Sequence, residues 1–343
     1  MAQIVELPTR EAAPPTRLNR WRAAWQLTWR RFILGTVVTV VVTAVTFALL
    51  SMSPMDPLRK YLGLRYQHME AEQRDQVRHA LGLDAPWWHA WWDWLTGFAR
   101  GDLGQSLIYH RPVSEVVWER LPWTLLLGAV AILLGVSVSM VLGIYSGLRP
   151  GSIVDRASTL LVSIVQSVPP FVLAVGAVFV LAVAYPVLPA AGISPPGQPP
   201  TVSSVARHLV LPALLFALTQ IPWLVLGVRE SVIASASSPA VTATRMRGLS
   251  ERTIVVSHIF PLAVPPALAL LGSRLPEFVV GAVIIETVFS WPGLAGALTE
   301  AALAADMPLL AVLTGLTTAA VIVGMWLADV LHVLIDPQVE VHA

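Results

Sequence analysis

Apolar residues in this chain run on in long blocks, and the intervening stretches collect the arginines, prolines and glycines. A hydrocarbon core about 30 Å thick takes about 20 apolar residues to cross as a helix. Six blocks meet that length: Phe32 to Met55, Leu121 to Leu148, about 157–185, about Leu209 to Val228, about Leu262 to Thr287 and about Met307 to His332. They predict an all-α integral membrane chain with six transmembrane helices. The first block follows Arg30 and Arg31, is too long for a signal-peptide apolar region and lacks a small-residue cleavage site. It therefore reads as an uncleaved signal anchor.

Arginine placement sets the predicted orientation, because short cytoplasmic loops carry the excess of positive charge. The N-terminal tail holds Arg10, Arg17, Arg20, Arg22, Arg30 and Arg31. The next loop on that side has Arg149 and Arg156, and the next has Arg229, Arg245, Arg247 and Arg252. The loop after the third block is uncharged and the one before the sixth carries Glu300 and Asp306. Both termini are thus expected in the cytoplasm. The organisation reads as a cytoplasmic tail (1–31), a first span (32–55), an extracytoplasmic segment (56–120), a five-helix core (121–336) holding a cytoplasmic loop at 236–261, and a C-terminal tail (337–343). Prolines interrupt the blocks at Pro169, Pro170, Pro212, Pro222, Pro265, Pro266 and Pro276. Each removes a backbone hydrogen bond that neighbouring helices or a wet cavity must replace, which suits either a kinked rigid bundle or a bending translocation pathway.

Composition agrees and excludes other classes. Of 343 residues, 55% are hydrophobic and 13% charged, against roughly 25% charged in soluble domains. A net charge of +1 gives no basic stripe for nucleic acid. With no cysteine, iron–sulfur clusters, thiolate zinc and thiol nucleophiles are excluded. Lys60 is the sole lysine and no Gly-Lys pair exists, so the chain cannot form a phosphate-binding P-loop. No nucleophile-elbow serine motif appears, and no paired carboxylates stand at mid-span as an intramembrane enzyme would need. The eight histidines, His68, His79, His89, His110, His208, His258, His332 and His342, include no i,i+4 pair, so no metal ligand set is expected.

Residues 229–261 predict a helix, a glycine stop and a second helix. Pro239 suits a first helical turn, Arg245 and Arg247 complement a helix C-terminus, Gly248 suits a left-handed C′ position and Ser250 a cap. On these grounds alone the segment is either a solvated connector or a projecting docking helix.

The spacing Thr242-Ala243-Thr244, Gly248, then His258-Ile259-Phe260-Pro261 resembles the EAA loop of ABC-importer permeases. Glu286-Thr287-Val288-Phe289-Ser290-Trp291-Pro292-Gly293-Leu294 is similar to a segment of the dipeptide/oligopeptide/nickel permease branch. So are Leu81-Gly82-Leu83-Asp84, Gly101-Asp102-Leu103-Gly104-Gln105-Ser106, Arg111-Pro112-Val113, Glu119-Arg120-Leu121-Pro122, Asp329 and Asp336-Pro337. The resemblance spans about residue 30 to the C-terminus. It implies the type I ABC importer permease (MetI-like) fold and a non-catalytic, pore-forming subunit importing di- or oligopeptides, nickel, a metal chelate or another small solute. It further implies a second homologous permease subunit as heterodimer partner, two cytoplasmic ATPase subunits that carry ATP and Mg, an extracytoplasmic substrate-binding protein, and no cofactor in this chain. Val241, Thr242, Ala243, Thr244, Arg245, Arg247 and Gly248 would then form the ATPase-coupling helix. The chain departs from the family at Pro239-Ala240, where an acidic-aromatic pair is usual, which bears on which ATPase it recognises. An ATPase-independent carrier or channel is the competing class.

Arg274 and Glu277 stand three residues apart inside the fifth block, spacing that permits an ion pair. Relatives usually have uncharged residues there, so the pair is either structural or a contact along the pathway. Glu286 is expected at a gate or interface. Trp87, Trp88, Trp91, Trp92 and Trp94 predict an amphipathic helix that anchors at the lipid interface or offers a surface to a binding protein.

Overall fold

The computed structural model describes residues 17–335; Arg10, Asp336-Pro337, the C-terminal tail and the early part of the N-terminal tail lie outside that range. Fifteen α-helices and one two-stranded hairpin are present among the described residues. Helix α1 (Arg17–Ser51) ends before Pro54, four residues short of the expected span. Three short helices follow, α2 (Pro57–Leu62), α3 (Arg65–His68) and α4 (Ala71–Ala80), then the tryptophan helix α5 (Trp87–Ala99). Strands β1 (Gln105–Ser106) and β2 (Arg111–Pro112) pair antiparallel, Gln105 against Pro112. Helix α6 (Val113–Leu148) starts eight residues earlier than the apolar block, because Pro112 sets its N-terminus and Pro122 is carried inside the helix.

Helices α7 (Ile153–Ser167) and α8 (Pro170–Val178, continued by a π-turn at Phe179–Ala184) replace the straight third span by two arms bent 96° apart. Val168 is extended there (φ −110°, ψ 126°), as the residue before a proline prefers, and two consecutive prolines remove the donors a continuous helix requires. Helix α9 (Val202–Ala236) absorbs Pro212 and Pro222 within one 35-residue rod. Helices α10 (Pro239–Met246) and α11 (Glu251–Ile254), with a π-turn at Val255–Ile259, make the loop between spans. The fifth apolar block is likewise divided, into α12 (Phe260–Ser273) and α13 (Leu275–Val288). Arg274 occupies the break, since a proline at 276 has no N–H to donate to Gly272. Helices α14 (Leu294–Ala304) and α15 (Met307–Ile335) complete the bundle. Among the described residues, four helices are long and apolar enough to cross a membrane, or five with the bent pair counted as one span.

Two contacts organise the bundle. Helix α1 runs along α15, joined by Arg31–Asp329 (2.5 Å) and by Trp326 Nε1 donating to Thr28 Oγ1 (2.9 Å). Helix α6 lies against α9 along Ala131, Gly135, Ser139, Gly143 and Gly147, all buried and four residues apart. That small-residue stripe brings two backbones together, the general solution where lipid leaves little hydrophobic drive for helix association. A Cβ at Gly147 would stand 2.7 Å from Val232 Cβ and 2.8 Å from the Arg229 carbonyl.

Candidate functional site

The elbow expected on the cytoplasmic side is built from local signals. Ser238 is extended and its Oγ accepts from Val241 N, Pro239 fills the first turn, and Arg247 caps the far end by donating its N–H to Ala243 O. Gly248 then reverses the chain at φ +77°, and Ser250 Oγ accepts from Thr253 N to start α11. Val241 is 0% exposed and joins Val228, Val232, Ile254 and Ile259 in an apolar seat that fixes α10 to the bundle; Thr244 is buried on the same helix. Thr242, Ala243, Arg245 and Met246 face outward. The seven residues expected to act together therefore divide, because the helical period puts 241 and 244 on the inner face. Arg245 braces the elbow, its Nη1 donating to Ala236 O (3.1 Å) and its Nε to Glu251 (3.3 Å). Met246, 84% exposed at the tip, is an outward apolar residue that motif reading passed over; its place between Arg245 and Arg247 was the available signal. The π-turn after α11 has a local cause: Pro261 cannot donate to Ser257, and the ladder widens to compensate.

A second connection joins the last turns of α9, just before this elbow, to the start of α7. Arg229 Nε donates to Asp155 Oδ1 at 2.6 Å and its Nη2 to Oδ2 at 3.2 Å, while Gly151 N donates to Oδ2 at 2.8 Å. Asp155 is the only acidic residue between Glu119 and Glu230. That isolation was the sequence signal, but nothing in the sequence pairs two residues 74 positions apart.

At the opposite end, Glu286 is 1% exposed. Its carboxylate accepts from Thr124 Oγ1 (2.7 Å), Ala295 N (2.7 Å) and Gly296 N (3.2 Å). The last two are amides of the first turn of α14, whose dipole favours an anion there. Thr124 Oγ1 also accepts from Leu294 N, and Trp291 Nε1 donates to Trp123 O. Gly293 must lack a side chain, since a Cβ would fall 2.2 Å from Glu286 Oε1. The spacing from Glu286 to Gly293-Leu294 thus closes a turn in which α13 caps α14. Nearby, Arg120 Nη2 donates to Tyr109 Oη (2.8 Å) and Tyr109 to Glu300. Burial and the Glu300 carboxylate push the Tyr109 phenol well above its ordinary value. Asp306, fully buried, accepts from Ser106 Oγ (2.7 Å) and Ile108 N (3.2 Å), tying the hairpin to the start of α15.

Arg274 Nη1 meets Glu277 Oε1 at 2.5 Å, and the guanidinium lies 4.0 Å from the centroid of the Trp223 ring. On α5 the tryptophans split by face. Trp91 donates to Thr43 Oγ1 on α1 (3.2 Å) and the Trp94 ring lies tilted against Phe47, whereas Trp88 and Trp92 are exposed and Trp87 is half-buried. Among the described residues no group of three or more histidine, aspartate or glutamate side chains is placed to hold a metal ion.

Two family descriptions match the chain. "Binding-protein-dependent transport system inner membrane component" covers residues 139–341, and its N-terminal companion covers residues 25–128. Similar proteins include the oligopeptide transport system permease protein AppB of Bacillus subtilis, 27% identical over 91% of this chain and 98% of the relative. A putative peptide permease protein of Brucella suis is 30% identical over the same shares. The nickel import system permease protein NikB of Staphylococcus aureus is 26% identical over 88% of each chain.

Proposed function

The chain belongs to the binding-protein-dependent transport system inner membrane component family, and from that premise we propose that it forms half of a translocation pore for di- and oligopeptides. The chain is the non-catalytic membrane component of such a transporter. A second, non-identical permease completes the pore, two ATPase subunits bind the cytoplasmic elbow, and a substrate-binding protein docks outside. Six spans follow if α7 with α8 and α12 with α13 each count once, which leaves both termini cytoplasmic.

The observation that carries this reading is α10. It is fixed inward by Val241 and Thr244 and presents Thr242, Ala243, Arg245 and Met246 outward. Such a helix transmits force: a partner that grips its outer face moves α9 through the Val241 packing, α7 in turn through the Asp155–Arg229 pair, and α12 through the π-turn. Nucleotide drives transport only if it favours one arrangement of the ATPases over the other, since equal affinity for both shifts nothing. Glu286, by capping α14 from α13, acts as a clamp at the outer gate. Trp88 and Trp92 sit at the lipid interface, where an indole keeps its apolar body in lipid and its N–H in water. Peptides are chosen as cargo because AppB and the Brucella relative carry that description.

Proteoliposomes holding both permeases, the ATPases and the binding protein are expected to accumulate tripeptides only with ATP and Mg. Omitting the ATPases should reduce uptake to the level of empty vesicles. Undiminished uptake without them would instead identify a carrier or channel; uptake of Ni²⁺ but no peptide would reassign the cargo.

A further inference from the structure

The break in the fifth span holds charged residues at the wrong depth for a lipid-facing helix. Arg274 stands midway between Phe260 and Val288, so about 20 Å of helix lies on either side at 1.5 Å rise per residue. Glu277, one turn further along, is 51% exposed as a side chain. A half-exposed carboxylate at that depth does not face hydrocarbon; such groups turn to a bundle interior or a wet cavity and mark ion or substrate routes. The surface bearing Glu277 and Trp223 is therefore the one turned to the pore. Its surroundings agree. Thr219 and Gln220 lie within one turn of Trp223 on α9, with Gln220 Nε2 donating to Thr219 Oγ1 (3.0 Å), and Gly281 of α13 packs beside Gln220. A polar belt thus crosses α9 and α13 at one level. Discontinuous helices at mid-membrane are also where transporters commonly form their substrate contacts.

The two charges are not equivalent. Arg274 is held twice, by Glu277 at 2.5 Å and by the Trp223 ring at 4.0 Å, and is the less exposed of the pair. Glu277 has the Arg274 contact through Oε1 while the rest of its carboxylate faces outward. We propose that Glu277 is a transient ligand for the ammonium group of passing cargo, and that Arg274, seated on Trp223, is its counter-ion when the pore is empty. A peptide's amino terminus replaces Arg274 at Glu277, and the pair re-forms once the cargo leaves. Exchange of one cation for another keeps the carboxylate paired throughout, and the displaced Arg274 keeps the Trp223 ring as its remaining partner. The inference rests on the peptide-importer reading.

The test offers the assembled importer, with its binding protein and ATP in proteoliposomes, a mixed tripeptide library in free and N-acetylated forms, and counts imported species by mass spectrometry. The binding protein is common to every arm, so a change in the free-to-acetylated ratio belongs to this chain. Wild type should favour free amino termini. Glu277→Gln should reduce the ratio about tenfold, the scale of one charge-assisted hydrogen bond, and Glu277→Asp should restore part of it. The double variant Arg274→Met/Glu277→Met leaves no unpaired charge and should show the same loss. Should Glu277→Gln fail to assemble, the double variant decides. An unchanged ratio in a transporting variant makes the pair structural and overturns the proposal alone. A wild-type importer that takes up neither form with ATP overturns the peptide reading and the proposal with it.

Discussion

Gly248→Val is expected to abolish ATP-driven uptake while the chain still inserts and assembles. Gly248 has φ +77° and nothing lies within 4 Å of where its Cβ would be, so valine meets no clash. The penalty is conformational: a β-branched residue in the left-handed region costs about 2 kcal/mol, which depletes the elbow's native geometry roughly thirtyfold. Pulling α10 and α11 out of register separates the outer face of α10 from the ATPase proposed to grip it. Gly248→Asn is the control, because asparagine tolerates that region; most uptake should remain. Equal loss in both variants would place the effect in surface chemistry rather than backbone shape.

Gly147→Leu should have the largest effect on stability. The first side-chain atom would already intrude on Val232 and on the Arg229 carbonyl, and a backbone cannot yield as a side chain does. The α6 and α9 axes must move apart, at about 3 kcal/mol or more for an overpacked contact, and the separation also strains Asp155–Arg229. Thermal unfolding of the detergent-solubilised assembly should show a lower midpoint and reduced yield. Gly128→Leu, on the same helix with nothing within 4 Å, should match wild type.

These positions show which parts of the fold were legible in the sequence. The elbow was, because Ser238-Pro239, Gly248 and Ser250 act within a few residues of themselves and their chemistry permits few alternatives. The apolar blocks were legible as helical segments, but their continuity was not. Pro169-Pro170 and Pro276 were visible as kinks, and whether a proline kinks a helix or divides it depends on the neighbours that satisfy the freed carbonyls. The stripe from Ala131 to Gly147 was equally visible at its four-residue spacing and passed unread, because a glycine-rich helix announces close packing without naming its partner. Asp155–Arg229 and the carboxylate of Glu286 depended on tertiary placement. Glu286 was expected at a gate or interface on its motif; that its oxygens meet the amides of Ala295 and Gly296 emerges only once α13 turns back on α14 at Ser290 (φ 46°).

The proposed role stands on one contact, the outer face of α10 against an ATPase subunit. Because the sequence contains no cysteine, single-cysteine variants report without background. Thr242→Cys and Met246→Cys, paired with cysteines on the ATPase surface, should form disulfide cross-links in the assembled importer, at rates that change on adding ATP and Mg. Val241→Cys and Thr244→Cys, on the buried face, should not. Absence of any cross-link from Thr242 and Met246 in an importer that still accumulates cargo would contradict the account.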